Sequence, residues 1–199
     1  MNNVPVRRNR TTLVLLGVLF FAPLAAAMLL YFALPQWQPH GKTNYGQLVT
    51  PARPVPLLQF VDAAGTARDS SVFNGRWSFV YLAGTQCDSA CIAKIIQIRQ
   101  VRTLLNEKRQ RVQRIYIAPT VESLNAAKQQ FGAEQPELVY LADNGIVGAR
   151  AVDFFKPTDP LALYLVDPHG NWMMVYAGDA EYQGILKDIK LLLKLSQIG

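Results

Sequence analysis

Trp77-Ser78-Phe79-Val80-Tyr81-Leu82-Ala83-Gly84-Thr85-Gln86-Cys87-Asp88-Ser89-Ala90-Cys91 carries the chain from an apolar run, through a short break, to its only two cysteines. The run over residues 78–83 predicts a buried strand, and the segment from Ser89 onward is patterned as a helix. A turn between a strand end and a helix start suits a reactive dithiol, because the partial positive charge of the first helical turn favours a thiolate. Positions i and i+4 share one helix face, with Cα atoms about 6 Å apart, within the range a disulfide tolerates. Reduced, the same two thiols can clamp one soft ion. Asp88, between them, opposes thiolate formation, so only a moderate lowering of the thiol pKa is expected.

Outward from this stretch, strand and helix patterns alternate. Residues 57–61 and 67–73 flank the turn Asp62-Ala63-Ala64-Gly65 and predict a hairpin. Residues 89–107 predict a helix whose apolar face is Ile92, Ile95, Ile96, Val101, Leu104 and Leu105. A strand over 112–118 and a helix over 121–131, closed by Gly132, follow. Residues 161–166 and 173–177 read as a hairpin around Asp167-Pro168-His169-Gly170, and a last helix covers 180–195 with Ile185, Leu186, Ile189 and Leu192 inward. This order predicts an α/β fold of thioredoxin-like type, a mixed sheet flanked by helices, with the dithiol where such a fold keeps its chemistry.

The N-terminal part differs in kind. Residues 11–34 hold no charged side chain, and at about 1.5 Å per residue they are long enough to cross the roughly 30 Å core of a bilayer. Arg7, Arg8 and Arg10 precede this stretch and no acidic residue occurs before Asp62. The positive-inside rule therefore predicts residues 1–10 in the cytoplasm, a transmembrane helix over 11–34, and everything beyond outside, with Tyr31, Phe32 and Trp37 at the outer interface. A cleaved signal peptide is the rival reading, with Ala25-Ala26-Ala27 as the peptidase site. Residues 35–54, with four prolines and two glycines, predict a linker, and 55–199 have the size of one domain. His40, in the linker, is read as an incidental polar residue.

The formal net charge of +6 is no nucleic-acid footprint. Without the three N-terminal arginines, 17 lysines and arginines face 14 acidic residues. Lys94, Arg99, Arg102, Lys108, Arg109, Arg111 and Arg114 are expected on solvated helix faces. No phosphate loop, catalytic triad or zinc-ligand cluster is visible.

Four segments carry a resemblance to a known family: Phe60-Val61-Asp62-Ala63-Ala64-Gly65, Phe73-Asn74-Gly75-Arg76-Trp77, the Cys-x-x-x-Cys of Cys87 and Cys91, and Leu163-Tyr164-Leu165-Val166-Asp167-Pro168-His169-Gly170. From about Pro56 to its end the chain resembles the SCO/SenC proteins, membrane-anchored thioredoxin-like factors that assemble the copper centre of cytochrome c oxidase. The resemblance implies a bacterial inner-membrane protein with a periplasmic domain. Its implied partners are the membrane and the copper-bearing oxidase subunit or another copper chaperone. It also implies Cys87 and Cys91 as a catalytic pair or as Cu(I) ligands. No other cofactor is required.

Two departures bear on that chemistry. The family's copper-binding histidine falls, by alignment on Pro168, at Asp159, a hard carboxylate ill suited to Cu(I). The family's proline between the cysteines is replaced by Ser89-Ala90. His169 is expected at the far end of its strand, roughly 20 Å from Asp159, and adjacent Met173 and Met174 point to opposite faces. Pro160 matches the place where thioredoxin-type reductases put a cis-proline opposite the dithiol. Three uses remain open: thiol–disulfide exchange, with Cys87 attacking and Cys91 resolving; Cu(I) delivery; and non-enzymatic docking. A static disulfide is the structural alternative, although so short a loop adds little stability.

Overall fold

The computed structural model describes residues 10–33, 44–143 and 149–196. The chain divides into two compact units, Met1–Thr43 and Asn44–Gly199. Within the first, α1 (Arg10–Ala33) is one continuous helix with no buried residue, long and apolar enough to cross a membrane. Leu34, Trp37 and His40 lie outside the described residues.

The second unit is built on an eight-stranded sheet. Its strands are β1 (Gln47–Pro54), β2 (Gln59–Asp62), β3 (Ala67–Asp69), β4 (Trp77–Leu82), β5 (Val112–Ala118), β6 (Leu138–Asp143), β7 (Leu163–Val166) and β8 (Asn171–Tyr176), in the spatial order β1-β8-β7-β4-β5-β6-β2-β3. The helices are α2 (Ser89–Thr103), α3 (Val121–Phe131), α4 (Ala151–Phe155) and α5 (Tyr182–Leu195). β4, β5 and β6 are parallel, and the remaining pairs are antiparallel, giving the mixed thioredoxin-like sheet.

Apart from Ser78, Gln113 and Arg114, β4 and β5 are apolar throughout, as burial on both faces requires. Phe79, Tyr81, Tyr116 and Ala118 join the cluster beneath α2, α3 and α5, with Ile95, Ile98, Leu124, Phe131, Ile185 and Ile189. Val80, Ile115 and Ile117 point to the opposite face, into the cluster that holds Phe60, Phe155, Tyr164 and Trp172. The two cysteines belong to the first cluster.

Several elements differ from the reading of the sequence. Residues 47–54, which the proline spacing predicts as the end of a linker, form strand β1, paired antiparallel with β8 at the sheet edge, with a register shift between Leu48 and Arg53. An edge strand tolerates prolines at such a bulge, which is why Pro51 and Pro54 did not prevent pairing. Just before it, the main-chain N–H groups of Tyr45 and Gly46 donate to the Asp188 carboxylate of α5, each at 2.9 Å to Oδ2. The folded unit therefore includes residues from Asn44 onward. β6 and the five-residue α4 were not expected. Gly132 closes α3 at φ −61°, in ordinary right-handed geometry, and leads into a 3-10 turn.

On α2 the inward stripe is Cys91, Lys94, Ile95, Ile98 and Val101. Ile96 and Leu104, expected inside, are 37% and 44% exposed. Lys94, Arg102 and Arg114, expected on solvated faces, turn inward. Arg114 lies in β5 and donates to Gln135 Oε1 at 2.7 Å. Arg102 donates to the Val112 carbonyl and pairs with Glu137.

Candidate dithiol site

β4 delivers the chain to the site, and its pairing with β5 continues one residue further, Ala83 N–H donating to the Ile117 carbonyl at 2.9 Å. Asp88 caps α2: its Oδ1 accepts from the Cys91 N–H at 2.9 Å, satisfying one of the helix's free donors. Cys87 thus stands just ahead of the cap and Cys91 in the first turn. The two are joined as a disulfide with Cα atoms 5.2 Å apart. Cys87 is the more accessible, at 8% against 4%, but both are buried.

Asp159, on the approach to β7, is fixed by the main chain. Its Oδ1 accepts from Leu161 N–H at 2.9 Å and its Oδ2 from Gly178 N–H at 2.5 Å. These bonds, with a smaller contribution from the Lys94 ammonium, hold its carboxyl below the ordinary value. Gly178 is also held from its other side, Lys94 Nζ donating to its carbonyl at 2.7 Å and to Gln97 Oε1 at 2.8 Å. Burial pushes the Lys94 pKa down, countered in part by Asp159 and Asp179. Tyr81, at the end of β4, donates to the Pro160 carbonyl at 3.3 Å. Burial, then the charges of Asp88 and Asp159, push its hydroxyl up to about 12. The charges of the helix cap and of Asp159 thus both act on one tyrosine of the strand that leads to the cysteines.

The structure therefore gathers Cys87, Cys91, Asp88 and the Asp159 approach around the end of β4, and leaves the other candidates elsewhere. His169 sits in the β7–β8 turn, its N–H donating to Asp167 Oδ1, at the opposite end of β7 from Asp159. Met174 is buried in the core and Met173 is half-buried. The Asp159–Pro160 peptide is trans, and among the described residues the cis peptide is Thr50–Pro51. Lys94 is the residue that sequence reasoning missed. Its spacing of three from Cys91 and four from Ile98 put it on the inward stripe, a signal present in the sequence. For a soft cation on the reduced pair the Asp159 carboxylate is a hard, poorly matched donor, and each of its oxygens is already engaged by a main-chain N–H. Among the described residues no group of three His, Cys, Asp or Glu side chains is placed to hold a metal.

The family model of a transmembrane-like, thioredoxin-like, C-terminal domain matches residues 77–196. Among solved structures, the apo Sco1 protein of Thermus thermophilus is 18% identical over 77% of this chain and 99% of its own, with a TM-score of 0.62. Arabidopsis thaliana ScoI with copper bound is 14% identical over 71% and 98%, at 0.54. BsSco, described by a disulfide switch and as a member of the Sco family of cytochrome c oxidase assembly proteins, is 18% identical over 75% and 99%, at 0.55. At these identities the likeness establishes the fold, which is that of the SCO/SenC proteins the sequence resembles. No curated protein matches the chain by sequence.

Proposed function

The chain belongs to the family of transmembrane-like, thioredoxin-like C-terminal domains, and from that premise we propose that it is a membrane-anchored thiol–disulfide factor assisting assembly of the copper centre of cytochrome c oxidase. The observation that carries this reading is the Cys87–Cys91 disulfide at the start of α2, directly after the central strand β4. In the reduced form the Cys87 thiolate attacks one sulfur of a partner's disulfide, and the other partner sulfur leaves as a thiolate. Cys91 then attacks the Cys87 sulfur, releasing the second partner thiolate and closing the Cys87–Cys91 bond. Two electrons pass to the partner, and an external dithiol must return them.

The partner in this reading is the copper-bearing oxidase subunit, whose cysteines have to be reduced before they can take metal. α1 is the anchor, and Arg7, Arg8 and Arg10 put its start in the cytoplasm and the second unit in a bacterial periplasm. There a disulfide forms by default, so a dedicated reductant has work to do.

A second reading, delivery of Cu(I), draws on relatives solved with copper bound. It leaves the two thiolates without the family's imidazole, with an engaged carboxylate in its place. A third, docking without redox chemistry, predicts that function survives loss of both cysteines. Replacing Cys87→Ser in the cells that carry the gene is the test. Oxidised cysteines should accumulate in the apo subunit and oxidase activity should fall, whereas an unchanged redox state and activity would rule the exchange reading out.

A further inference from the structure

Where β4 and β5 end, small residues stand in place of the large ones that fill both strands. Ala83, Gly84 and Ala118 follow Leu82 and Ile117, and together with Pro160 they wall a cavity of about 300 Å³. The wall is fixed, because the Ala83 N–H is bonded to the Ile117 carbonyl at 2.9 Å. One side of the cavity carries charge. The Asp143 carboxylate, 4% exposed, accepts from the Ala151 N–H at 3.0 Å and lies 3.6 Å from Arg150 Nε. The Arg150 side chain is 45% exposed, so the charge offered to solvent at this cavity is the guanidinium.

Gly84 is three residues from Cys87, which limits their Cα separation to about 11 Å. An extended peptide advances about 3.3 Å per residue and alternates its side chains. A peptide whose cysteine meets Cys87 and whose chain runs toward Gly84 therefore reaches the cavity with a side chain within about three positions of that cysteine. The cavity and the dithiol adjoin at the end of β4: Pro160, which lines the cavity, accepts at its carbonyl from the Tyr81 hydroxyl at 3.3 Å, and Tyr81 belongs to the same cluster as the two cysteines.

We propose that this cavity is the substrate subsite of the dithiol. It takes a leucine-sized aliphatic side chain flanking the partner's reactive cysteine, with a neighbouring carboxylate of the partner against Arg150. This rests on the thiol-exchange reading and adds to it the class of polypeptide that is exchanged. Nothing in the sequence motifs signals the cavity, because its residues come from the ends of separate strands.

The test uses the full chain in detergent micelles, both cysteines reduced and the reductant removed, in single turnover against synthetic peptides closed by an internal disulfide. One peptide carries leucine two positions to either side of its first cysteine and glutamate beside each leucine. A second has alanine for leucine, and a third lysine for glutamate. The leucine peptide should react about tenfold faster than the alanine peptide, the discrimination expected of a hydrophobic pocket. The lysine peptide should be slower than the glutamate peptide at low salt, with the difference shrinking as salt is added. Gly84→Leu should bring the leucine-to-alanine ratio to about one. A Cβ there meets nothing nearer than the Gln86 carbonyl oxygen at 3.7 Å, an ordinary van der Waals contact, so the first carbon of the added side chain displaces no backbone. If that variant does not fold, the peptide series on the natural chain decides alone. Equal rates for all three peptides overturn the subsite while leaving thiol exchange standing. No exchange with any peptide, and a disulfide that dithiothreitol cannot open, overturns the exchange reading itself.

Discussion

Replacing Asp159→Ala removes both acceptors that fix the approach to β7 against the loop after β8. The Leu161 and Gly178 N–H groups, now bonded at 2.9 and 2.5 Å, lose their partner, and Lys94 loses a countercharge. A hydrogen bond to a charged group contributes about 1.5–3 kcal/mol when buried, and the site here is only half-buried. Two such bonds, discounted for exposure, give about 2–3 kcal/mol of lost stability. For a domain of this size that corresponds to a fall of about 5–10 °C in Tm. Asp159→Asn keeps one acceptor oxygen and should lose about half as much. The assay is thermal and urea unfolding of the full chain in detergent, followed by the fluorescence of Trp77 and Trp172, which are 4% and 9% exposed. An Asp159→Ala variant within about 0.5 kcal/mol of the natural chain would refute the reasoning, since that is the range of featureless surface substitutions. So would an Asn variant as unstable as the Ala variant.

Asp159→His, measured for both properties, should bind Cu(I) more tightly than the natural chain in competition with a chelator while unfolding at a lower temperature, because an imidazole offers one acceptor for two donors. Asp88→Ala should cost about 1 kcal/mol in urea unfolding through the lost cap on Cys91 N–H. Ile98→Ala, at a fully buried position, should cost about 2–5 kcal/mol, whereas Ile96→Glu on the same helix should stay within about 0.5 kcal/mol. The Asp159 carboxyl titrates below its ordinary 3.8, so the stability it contributes is present above that pH and is lost as pH falls through its lowered value. The gap in urea midpoint between the natural chain and Asp159→Asn should accordingly narrow below about pH 4.

The sequence carried the central elements because each has a period of its own. β5 and α3 begin and end where the pattern put them, since Val112–Ala118 is apolar on both faces apart from Gln113 and Arg114, and Thr120 and Gly132 bracket a clear helical stripe. The cysteine pair and its position after β4 were legible for the same reason. β1 was not, because prolines that mark a linker in isolation are also compatible with an edge strand, and only β8 beside it decides between them. β6 was missed although five of its six residues are apolar, Asp143 being the exception, and it completes the parallel β4–β5–β6 set. Lys94 was misplaced by its charge. A lysine reads as solvated until a carbonyl 84 positions away, that of Gly178, is brought to its ammonium by the fold. Asp159 was picked out by the family resemblance; its bond from the Leu161 N–H, two residues on, is a local turn contact, but the one from the Gly178 N–H depends on the β8–α5 loop and has no local signal.

The central claim, that Cys87 and Cys91 exchange electrons with a partner, is tested most directly by the reduction potential of their disulfide. The full chain would be equilibrated in thiol–disulfide buffers of graded potential and the reduced fraction trapped by alkylation and counted by mass. Exchange proteins have potentials from about −270 to −120 mV, and a reversible two-electron transition in that window is the expected result. A bond that stays closed below about −300 mV would mark a structural disulfide and contradict the claim.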